Sequence, residues 1–318
     1  MVPFIAIVVV LGVLLHIAAR SQAGKLKSQP DPYPLDVLNR EPEGEEVFIT
    51  TADGARIRAI SKGQGPTVVL AHGFMASLLE WNIIWKMLLD AGYQVIAFDQ
   101  RGHGKSTIGS DGVGSRQMAG DYKAVLEHFA VKDAILVGHS MGGFLSLVFM
   151  LTYPDSAKQH LKGVILFASM AGNVIKDAPQ NKVQIPLIKH GIIKRVLQSD
   201  TYGTAFAASL MGKNPSPAII AATRKLMLEQ DTSQLIPILE AMAQEDYYAR
   251  LGEISIPVVV ICGDLDKTTP RWHSELLGTS IKGGRNVWVK DKGHLLNWEA
   301  PEALVEVVQS LSRAGESV

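Results

Sequence analysis

The sequence predicts an α/β fold: an eight-stranded, mostly parallel sheet with helices on both faces and an inserted helical cap. Short apolar runs alternate with helix-like stretches, which is typical of parallel strands covered on both faces. The first two runs flank Asp53-Gly54, a dipeptide typical of hairpin turns, so we expect these two strands to be antiparallel. Roughly ninety residues separate the runs at 163–167 and 258–261, far more than an ordinary crossover needs, and this spacing indicates the cap.

The predicted strands lie at residues 47–50, 57–60, 67–71, 94–98, 134–137, 163–167, 258–261 and 287–289. These elements divide the chain into residues 1–29, an N-terminal segment with a basic flank, 30–44, a proline-rich linker, and 45–318, the α/β domain. The prolines at 30, 32 and 34 resist both helix and strand, so we expect the linker to be a stiff spacer.

The cap, at about residues 171–251, is apolar and rich in methionine. We expect most of its apolar side chains to pack the cap itself and a minority to line a substrate cleft. The apolar residues that recur at loosely helical spacing are Ile185, Leu187, Ile188, Ile192, Ile193, Val196, Leu197, Leu210, Met211, Leu226, Met227 and Leu228.

Composition restricts the possible functions. The chain has 318 residues, 47% of them hydrophobic, which is enough for one large α/β domain with a sizeable core. Its 31 basic and 31 acidic residues cancel, so nothing indicates a nucleic-acid surface or a strongly charged substrate. Cys262 is the single cysteine, so no intramolecular disulfide is possible.

The N-terminal segment predicts a membrane anchor. Residues 2–19 contain no Lys, Arg, Asp or Glu, and as a helix they would reach roughly 27 Å, close to the thickness of a bilayer core. Arg20, Lys25 and Lys27 follow this stretch and none precedes it, which favours a domain on the cytoplasmic side. The alternative is a signal peptide cleaved after Ala23, which would make the enzyme secreted or periplasmic.

The motif Gly138-His139-Ser140-Met141-Gly142 follows the apolar run 134–137 and precedes a helix-like stretch. A G-x-S-x-G motif at a strand-to-helix junction places its serine in a sharp turn with the hydroxyl exposed. The flanking glycines are needed because a Cβ would collide with neighbouring backbone at so tight a turn. The motif therefore predicts Ser140 as a nucleophile.

A serine nucleophile needs an imidazole base that is oriented by a carboxylate. His294 follows the last predicted strand and is the expected base, whereas the side chain of His139 must point away from that of its neighbour. Asp264 and Asp266 both follow the penultimate parallel strand. Asp266 is preferred as the acid because it lies on the crest of the loop. Asp264 is the alternative acid, but at the strand end its expected role is to cap the turn.

A tetrahedral intermediate also needs two N–H donors for its oxyanion. The N–H of Met141 lies at the expected start of the helix after the serine. The turn His72-Gly73-Phe74 follows the third strand, and we expect the N–H of Phe74 to face the serine. Loss of one such donor typically costs about 2.7–4 kcal/mol in the transition state.

With these residues, the chain resembles the α/β-hydrolase superfamily over about residues 45–312. The matching motifs are His72-Gly73-Phe74, the stretch 99-DQRGHGKS-106, the Ser140 turn, 266-DKTTP-270 and Gly293-His294. The resemblance implies the α/β-hydrolase fold, the triad Ser140, Asp266 and His294, and structural roles for Asp99 and Arg101. Within the superfamily the chain looks most like the lipase and esterase branch that includes membrane-anchored monoacylglycerol lipases.

We therefore expect a serine hydrolase that cleaves carboxylic esters with an apolar acyl group, on a small, lipophilic substrate. A carbon–carbon bond hydrolase or a cofactor-free haloperoxidase-like enzyme shares the triad and is the alternative, and a ligand-binding receptor of the same fold is a further one. Haloalkane dehalogenases and epoxide hydrolases of this fold use aspartate where this chain has Ser140. The histidines lack paired ligand spacing and no phosphate-binding glycine loop is present, so we expect neither a metal nor a cofactor.

Overall fold

The computed structural model describes Ser21, Gly24, Leu26 and residues 29–314. Over these residues the core is one eight-stranded sheet in the order β1-β2-β4-β3-β5-β6-β7-β8. The strands are β1 (Glu45–Thr50), β2 (Arg56–Lys62), β3 (Thr67–Ala71), β4 (Gln94–Phe98), β5 (Ala134–His139), β6 (Leu161–Phe167), β7 (Val258–Gly263) and β8 (Arg285–Val289).

The pairing of the strands confirms the predicted mixed sheet. β2 is antiparallel to both β1 and β4, and every other neighbouring pair is parallel. The predicted hairpin joins β1 to β2, and Gly54 in its turn has a φ of +83°, which favours glycine. Because five adjacent pairs are parallel, strands β3 to β8 end at the same edge of the sheet.

Helices cover both faces of this sheet. In the described part of the chain they are α1 (Leu35–Leu38), α2 (Asn82–Asp90), α3 (Ser115–His128), α4 (Met141–Thr152), α5 (Pro154–His160), α6 (Pro179–Lys189), α7 (Ile192–Gln198), α8 (Asp200–Ser209), α9 (Pro217–Leu228), α10 (Ile236–Gln244), α11 (Arg271–Ser280), α12 (Leu296–Glu299) and α13 (Pro301–Ala314). Short 3₁₀ helices lie at Leu78–Trp81 and Tyr248–Glu253.

The two faces of the sheet form separate apolar clusters. Along β5, Leu136 faces a cluster with residues of α3 and α4, whereas Ile135 and Val137 face a cluster with residues of α2 and α13. This alternation follows from the two-residue period of a strand. Both faces are apolar because both are covered.

Helices α6 to α10 lie between β6 and β7, where the sequence predicts the cap. Residues of α8 and α9 form a third apolar cluster with Leu38, Leu295 and Trp298, so this insertion packs over the carboxyl edge of the sheet. The ranges that divide the chain into segment, linker, domain and cap stay predictions.

The proline-rich segment makes specific contacts with both the insertion and α2. The Asp31 carboxylate accepts a hydrogen bond from the Ala218 N–H at 2.7 Å and one from the Ser216 hydroxyl, and it thereby caps α9. The Asn82 side chain donates to the carbonyl oxygens of Val37 and Leu38 at 2.9 and 2.8 Å. Where the sequence predicts a spacer, the structure therefore has a segment attached to two other elements.

The predicted membrane anchor needs correction. Among Ser21, Gly24, Leu26 and residues 29–314, no helix is both long enough and apolar enough to cross a membrane. Residues 2–19, to which the anchor was assigned, and the cleavage position after Ala23 lie outside the described residues. We withdraw the anchor, the cytoplasmic placement that was derived from it and the assignment as a transmembrane protein, because no described helix meets the length and hydropathy that a span requires.

Candidate active site

Ser140 lies at the junction between β5 and α4. Its φ of 51° and ψ of −113° form a strained conformation that a non-glycine residue rarely adopts. The turn is held by a hydrogen bond from the Ser140 N–H to the Phe167 carbonyl at 2.9 Å and by one from the Ser169 hydroxyl to the Ser140 carbonyl at 2.8 Å. A Cβ at Gly142 would collide with the backbone of Ala71, which explains the glycine there. The hydroxyl therefore stands at the top of the sheet, as the motif predicts.

His294 follows β8 and connects Ser140 with Asp266. Its Nε2 lies 3.0 Å from the Ser140 Oγ, and its Nδ1 lies 2.8 Å from the Asp266 Oδ2. All three side chains are buried. The three residues that the sequence singled out from separate loops are thus within hydrogen-bond distance of one another, and their roles as nucleophile, base and acid stay predictions.

The Asp266 carboxylate is held by its own loop as well as by the imidazole. Its Oδ1 accepts hydrogen bonds from the N–H groups of Thr268 and Thr269 at 2.8 and 3.0 Å, and its Oδ2 accepts one from the Thr269 hydroxyl at 2.7 Å. Burial raises the pKa of this carboxyl, but the charge and hydrogen bond of His294 and the hydrogen bonds of Thr269 outweigh it, so the pKa lies below its ordinary value. Asp264 is exposed at the strand end, and Asp266 is the aspartate that pairs with His294.

The two predicted oxyanion donors belong to the helix that follows Ser140 and to the turn after β3. Met141 is the first residue of α4, where an N–H group has no partner within the helix. Phe74 follows Gly73 in the turn after β3, and a Cβ built on Gly73 would lie 3.5 Å from the Ser140 Cβ. Phe74 and Ser140 also line the same cavity. The roles of both amides stay predictions.

A cavity of about 110 Å³ opens onto Ser140 and His294 between the sheet edge and the insertion. Its wall is mostly apolar on the side of α6, α8 and α9. The sequence predicts that a minority of the apolar cap side chains line such a cleft. The cap residues that line it are Gln184, Ile188, Phe206, Leu210, Thr223, Leu226 and Met227. Of these, Ile188, Leu210, Leu226 and Met227 belong to the set with helical spacing in the sequence.

Two further ionisable side chains border the cavity, and sequence reasoning missed their connection. Glu80 and His139 are 3% and 2% exposed, and the His139 Nδ1 lies 3.1 Å from the Glu80 Oε1. The His139 ring packs against the ring of His294, with ring centroids 5.0 Å apart. No local sequence signal links Glu80 to His139, because the two are 59 residues apart.

Across residues 29–314, with Ser21, Gly24 and Leu26, no group of three or more His, Cys, Asp or Glu side chains is arranged to hold a metal ion. The His294 ring, which could serve as a ligand, has both nitrogens paired within the site, with Asp266 and Ser140.

Most of the chain is similar to known proteins. Residues 68–307, well over half of the chain, match the model of the alpha/beta hydrolase family. The non-heme chloroperoxidase CPO-A1 of Kitasatospora aureofaciens is 29% identical over 228 residues, which are 70% of this chain and 82% of that protein. The bifunctional esterase/perhydrolase DCH of Acinetobacter calcoaceticus is 27% identical over 234 residues, 70% of this chain and 83% of that one.

Among solved structures, the esterase EaEST from Exiguobacterium antarcticum superposes with a TM-score of 0.74 at 24% identity, over 84% of this chain and 100% of its own. This likeness concerns the fold, and it confirms the predicted sheet with its helices on both faces. Together with the family match, it confirms the predicted superfamily. The chain belongs to the α/β-hydrolase family.

Proposed function

We propose that this chain is a serine hydrolase that cleaves small carboxylic esters through an acyl-enzyme on Ser140. The observation that carries the proposal is the unbroken hydrogen-bonded series from the Ser140 Oγ through His294 to Asp266, with separations of 3.0 and 2.8 Å. Serine at its free pKa is a weak nucleophile, and a neighbouring imidazole oriented by a carboxylate is what activates it. A binding protein of this fold would have no need for that arrangement.

In the first half of the reaction, Ser140 attacks the ester carbonyl while the His294 Nε2 takes the hydroxyl proton. The developing oxyanion accepts hydrogen bonds from the N–H groups of Phe74 and Met141. The imidazolium then gives its proton to the departing alcohol, and the acyl group stays on the Ser140 Oγ. Asp266 keeps the imidazole in the tautomer with its proton on Nδ1, since a carboxylate can only accept there.

In the second half, water replaces the alcohol at the same position. His294 takes a proton from that water as it attacks the acyl carbonyl, and the same N–H donors hold the oxyanion. Collapse of the intermediate breaks the bond to the Ser140 Oγ, which recovers its proton from His294. The products are a carboxylic acid and the free enzyme.

The cavity supports a short acyl group. An apolar cavity of about 150 Å³ accommodates benzene, so by proportion the 110 Å³ cavity accommodates roughly four carbon atoms. Its cap wall of Phe206, Leu226 and Met227 offers apolar contact rather than hydrogen bonds. Each buried methylene contributes about 0.8 kcal/mol, so affinity should rise from acetate and stop rising when the cavity is full.

The relatives favour a second candidate activity, perhydrolysis. One of them is named a bifunctional esterase/perhydrolase and another a non-heme chloroperoxidase. The same acyl-enzyme could pass its acyl group to hydrogen peroxide in place of water, which would form a peracid and release the Ser140 hydroxyl. This reaction uses the proposed residues without change.

A hydrolysis screen tests both candidates. The specificity constant is measured for p-nitrophenyl esters from acetate to octanoate, with vinylogous diketones as substrates for carbon–carbon bond cleavage, and then with peroxide added. We expect a maximum near butyrate. Turnover of the diketones alone, with no ester hydrolysed, would reject the ester proposal, and a steady fall from acetate onward would reject the apolar acyl pocket. Peracid formation with a short acyl donor would support the second activity.

A further inference from the structure

We propose that Glu80 and His139 form a positioning pair that fixes the Phe74 turn and the His294 base relative to each other, an inference that rests on the function proposed above. Neither side chain belongs to the triad. Both line the catalytic cavity, and both are almost completely buried. Burying a carboxylate is costly unless hydrogen bonds and a partner offset the loss of hydration, and here these partners belong to the catalytic loops themselves.

The Glu80 carboxylate holds the turn that carries the proposed oxyanion donor. Its Oε1 accepts a hydrogen bond from the Gly73 N–H at 3.0 Å, one residue before Phe74. The position of Glu80 is in turn fixed through its carbonyl oxygen, which accepts from the Asn297 side chain at 2.9 Å. Asn297 lies three residues after His294. Glu80 therefore contacts both the turn that contains Gly73 and the segment that follows His294.

The His139 ring holds the loop that carries the base. Its Nε2 lies 3.0 Å from the carbonyl oxygen of His294. A carbonyl oxygen only accepts hydrogen bonds, so this Nε2 carries a proton and donates it. The hydrogen bond fixes the backbone of His294, and through it the position of the imidazole that faces Ser140.

The two side chains share a second proton. The His139 Nδ1 faces the Glu80 carboxylate, at 3.1 Å from Oε1 and 3.3 Å from Oε2. Because the Nε2 is already protonated, this contact is a hydrogen bond only if one further proton lies between the ring and the carboxylate. The pair is therefore neutral overall. Burial lowers the pKa of His139, but the charge and hydrogen bond of Glu80 outweigh it and raise the pKa above its ordinary value.

The result is one buried series of hydrogen bonds from the Gly73 N–H through Glu80 and His139 to the His294 carbonyl. Catalysis requires the oxyanion donors and the base to act on the same carbonyl group, and a shift of about 1 Å in either can cost roughly 10²-fold in rate. Breaking the series in its middle should loosen both ends together.

The test compares Glu80→Gln with Glu80→Leu. A glutamine keeps the geometry, because its Oε1 can accept from Gly73 and its Nε2 can donate to a neutral His139 Nδ1. We expect the rate at which a fluorophosphonate probe labels Ser140 to stay within about threefold of the parent in Glu80→Gln and to fall roughly 10²-fold in Glu80→Leu. KM for a butyrate ester should change less than kcat.

Controls separate positioning from general destabilisation. Leu126→Ala removes core packing on α3, away from the site, and should lower the melting temperature without slowing the labelling. If Glu80→Leu does not fold, His139→Phe replaces it, since the phenyl ring fills the space but makes neither hydrogen bond. A parental labelling rate in folded Glu80→Leu, or in His139→Phe where it takes the place of Glu80→Leu, would overturn the proposal, and so would an equal loss in Glu80→Gln.

A second readout keeps this test distinct from that of the proposed function. If the parent is never labelled and hydrolyses no ester, the proposed function fails, but ¹⁵N signals of the histidine rings still report the pair. We then expect two protonated nitrogens on His139 in the parent and shifted His294 signals in Glu80→Leu. Unshifted His294 signals would overturn the positioning pair by themselves.

Discussion

The carboxyl edge of the sheet and the cap hold their side chains in different ways. At the edge, Asp266 receives three hydrogen bonds from its own loop in addition to its contact with His294. In the cap, Phe206, Leu226 and Met227 face the cavity and are held by apolar packing. Hydrogen bonds are directional, whereas apolar contacts tolerate exchange of residues of similar volume. The edge therefore suits chemistry and the cap suits selection among substrates.

The largest expected effect is that of Ser140→Ala. Removing the nucleophile of a triad leaves only binding and the oxyanion donors, so we expect kcat to fall roughly 10⁶-fold while the fold survives. Ser146→Ala, which removes a buried hydroxyl from the same helix, serves as the control and should keep parental turnover. Turnover of Ser140→Ala within about tenfold of the parent would remove the serine from the mechanism.

The next effect distinguishes the two aspartates after β7. In Asp266→Asn the amide no longer holds the imidazole in the productive tautomer, and kcat should fall about 10⁴-fold. Asp264→Asn alters an exposed side chain, and kcat should stay within about twofold of the parent, because substitutions at exposed positions usually have small effects. The measurement is kcat on a short-chain ester, with circular dichroism as a check on folding. A greater loss in Asp264→Asn would reverse the assignment.

A cap variant should change selection and leave the chemistry unaltered. Phe206→Ala enlarges the cavity, so the best acyl chain should lengthen, with a gain in the specificity constant of about fourfold per added methylene. Labelling of Ser140 by a small fluorophosphonate should keep its parental rate. Val183→Ala, on an exposed cap position, is the matched control. An unchanged preference in Phe206→Ala would show that the acyl group binds elsewhere.

The smallest effect concerns the attachment of the cap. Asp31 caps α9, and its replacement by alanine should destabilise the protein by about 1 kcal/mol. In a domain of this size that corresponds to a decrease of roughly 2 °C in the melting temperature. Asp36→Ala, in which an exposed carboxylate is lost, is the control and should change the melting temperature less. Equal melting temperatures for Asp31→Ala and the parent would mean that the contact adds no stability.

The sequence predicted correctly those positions that are determined by residues nearby in the chain or by the order of parallel strands. The Ser140 turn and the hairpin at Asp53-Gly54 are short-range features, and parallel strands bring their ends to one edge, so the loops of Asp266 and His294 could be expected beside Ser140. The catalytic roles of these residues stay predictions until the variants are measured.

The features that were missed depend on contacts distant in sequence. Asp31 lies 185 residues before Ser216, and Glu80 lies 59 residues before His139, and neither contact follows from local pattern. From the sequence, the cavity wall could be assigned only to an unspecified minority of the apolar cap residues. Helical spacing indicates that a side chain is packed, but it does not indicate which part of the molecule it packs against. Hydropathy of residues 2–19 alone gave the membrane anchor, which we have withdrawn.

The central claim is that Ser140 is the activated nucleophile of a hydrolase. It is tested most directly by treating the full chain with a fluorophosphonate and following hydrolysis and intact mass together, with peptide mapping of the adduct. The account predicts one adduct per chain on Ser140, loss of hydrolysis in proportion to labelling, and no adduct in His294→Ala over the same time. Hydrolysis that persists in the fully labelled protein, or an adduct on a residue other than Ser140, would contradict it.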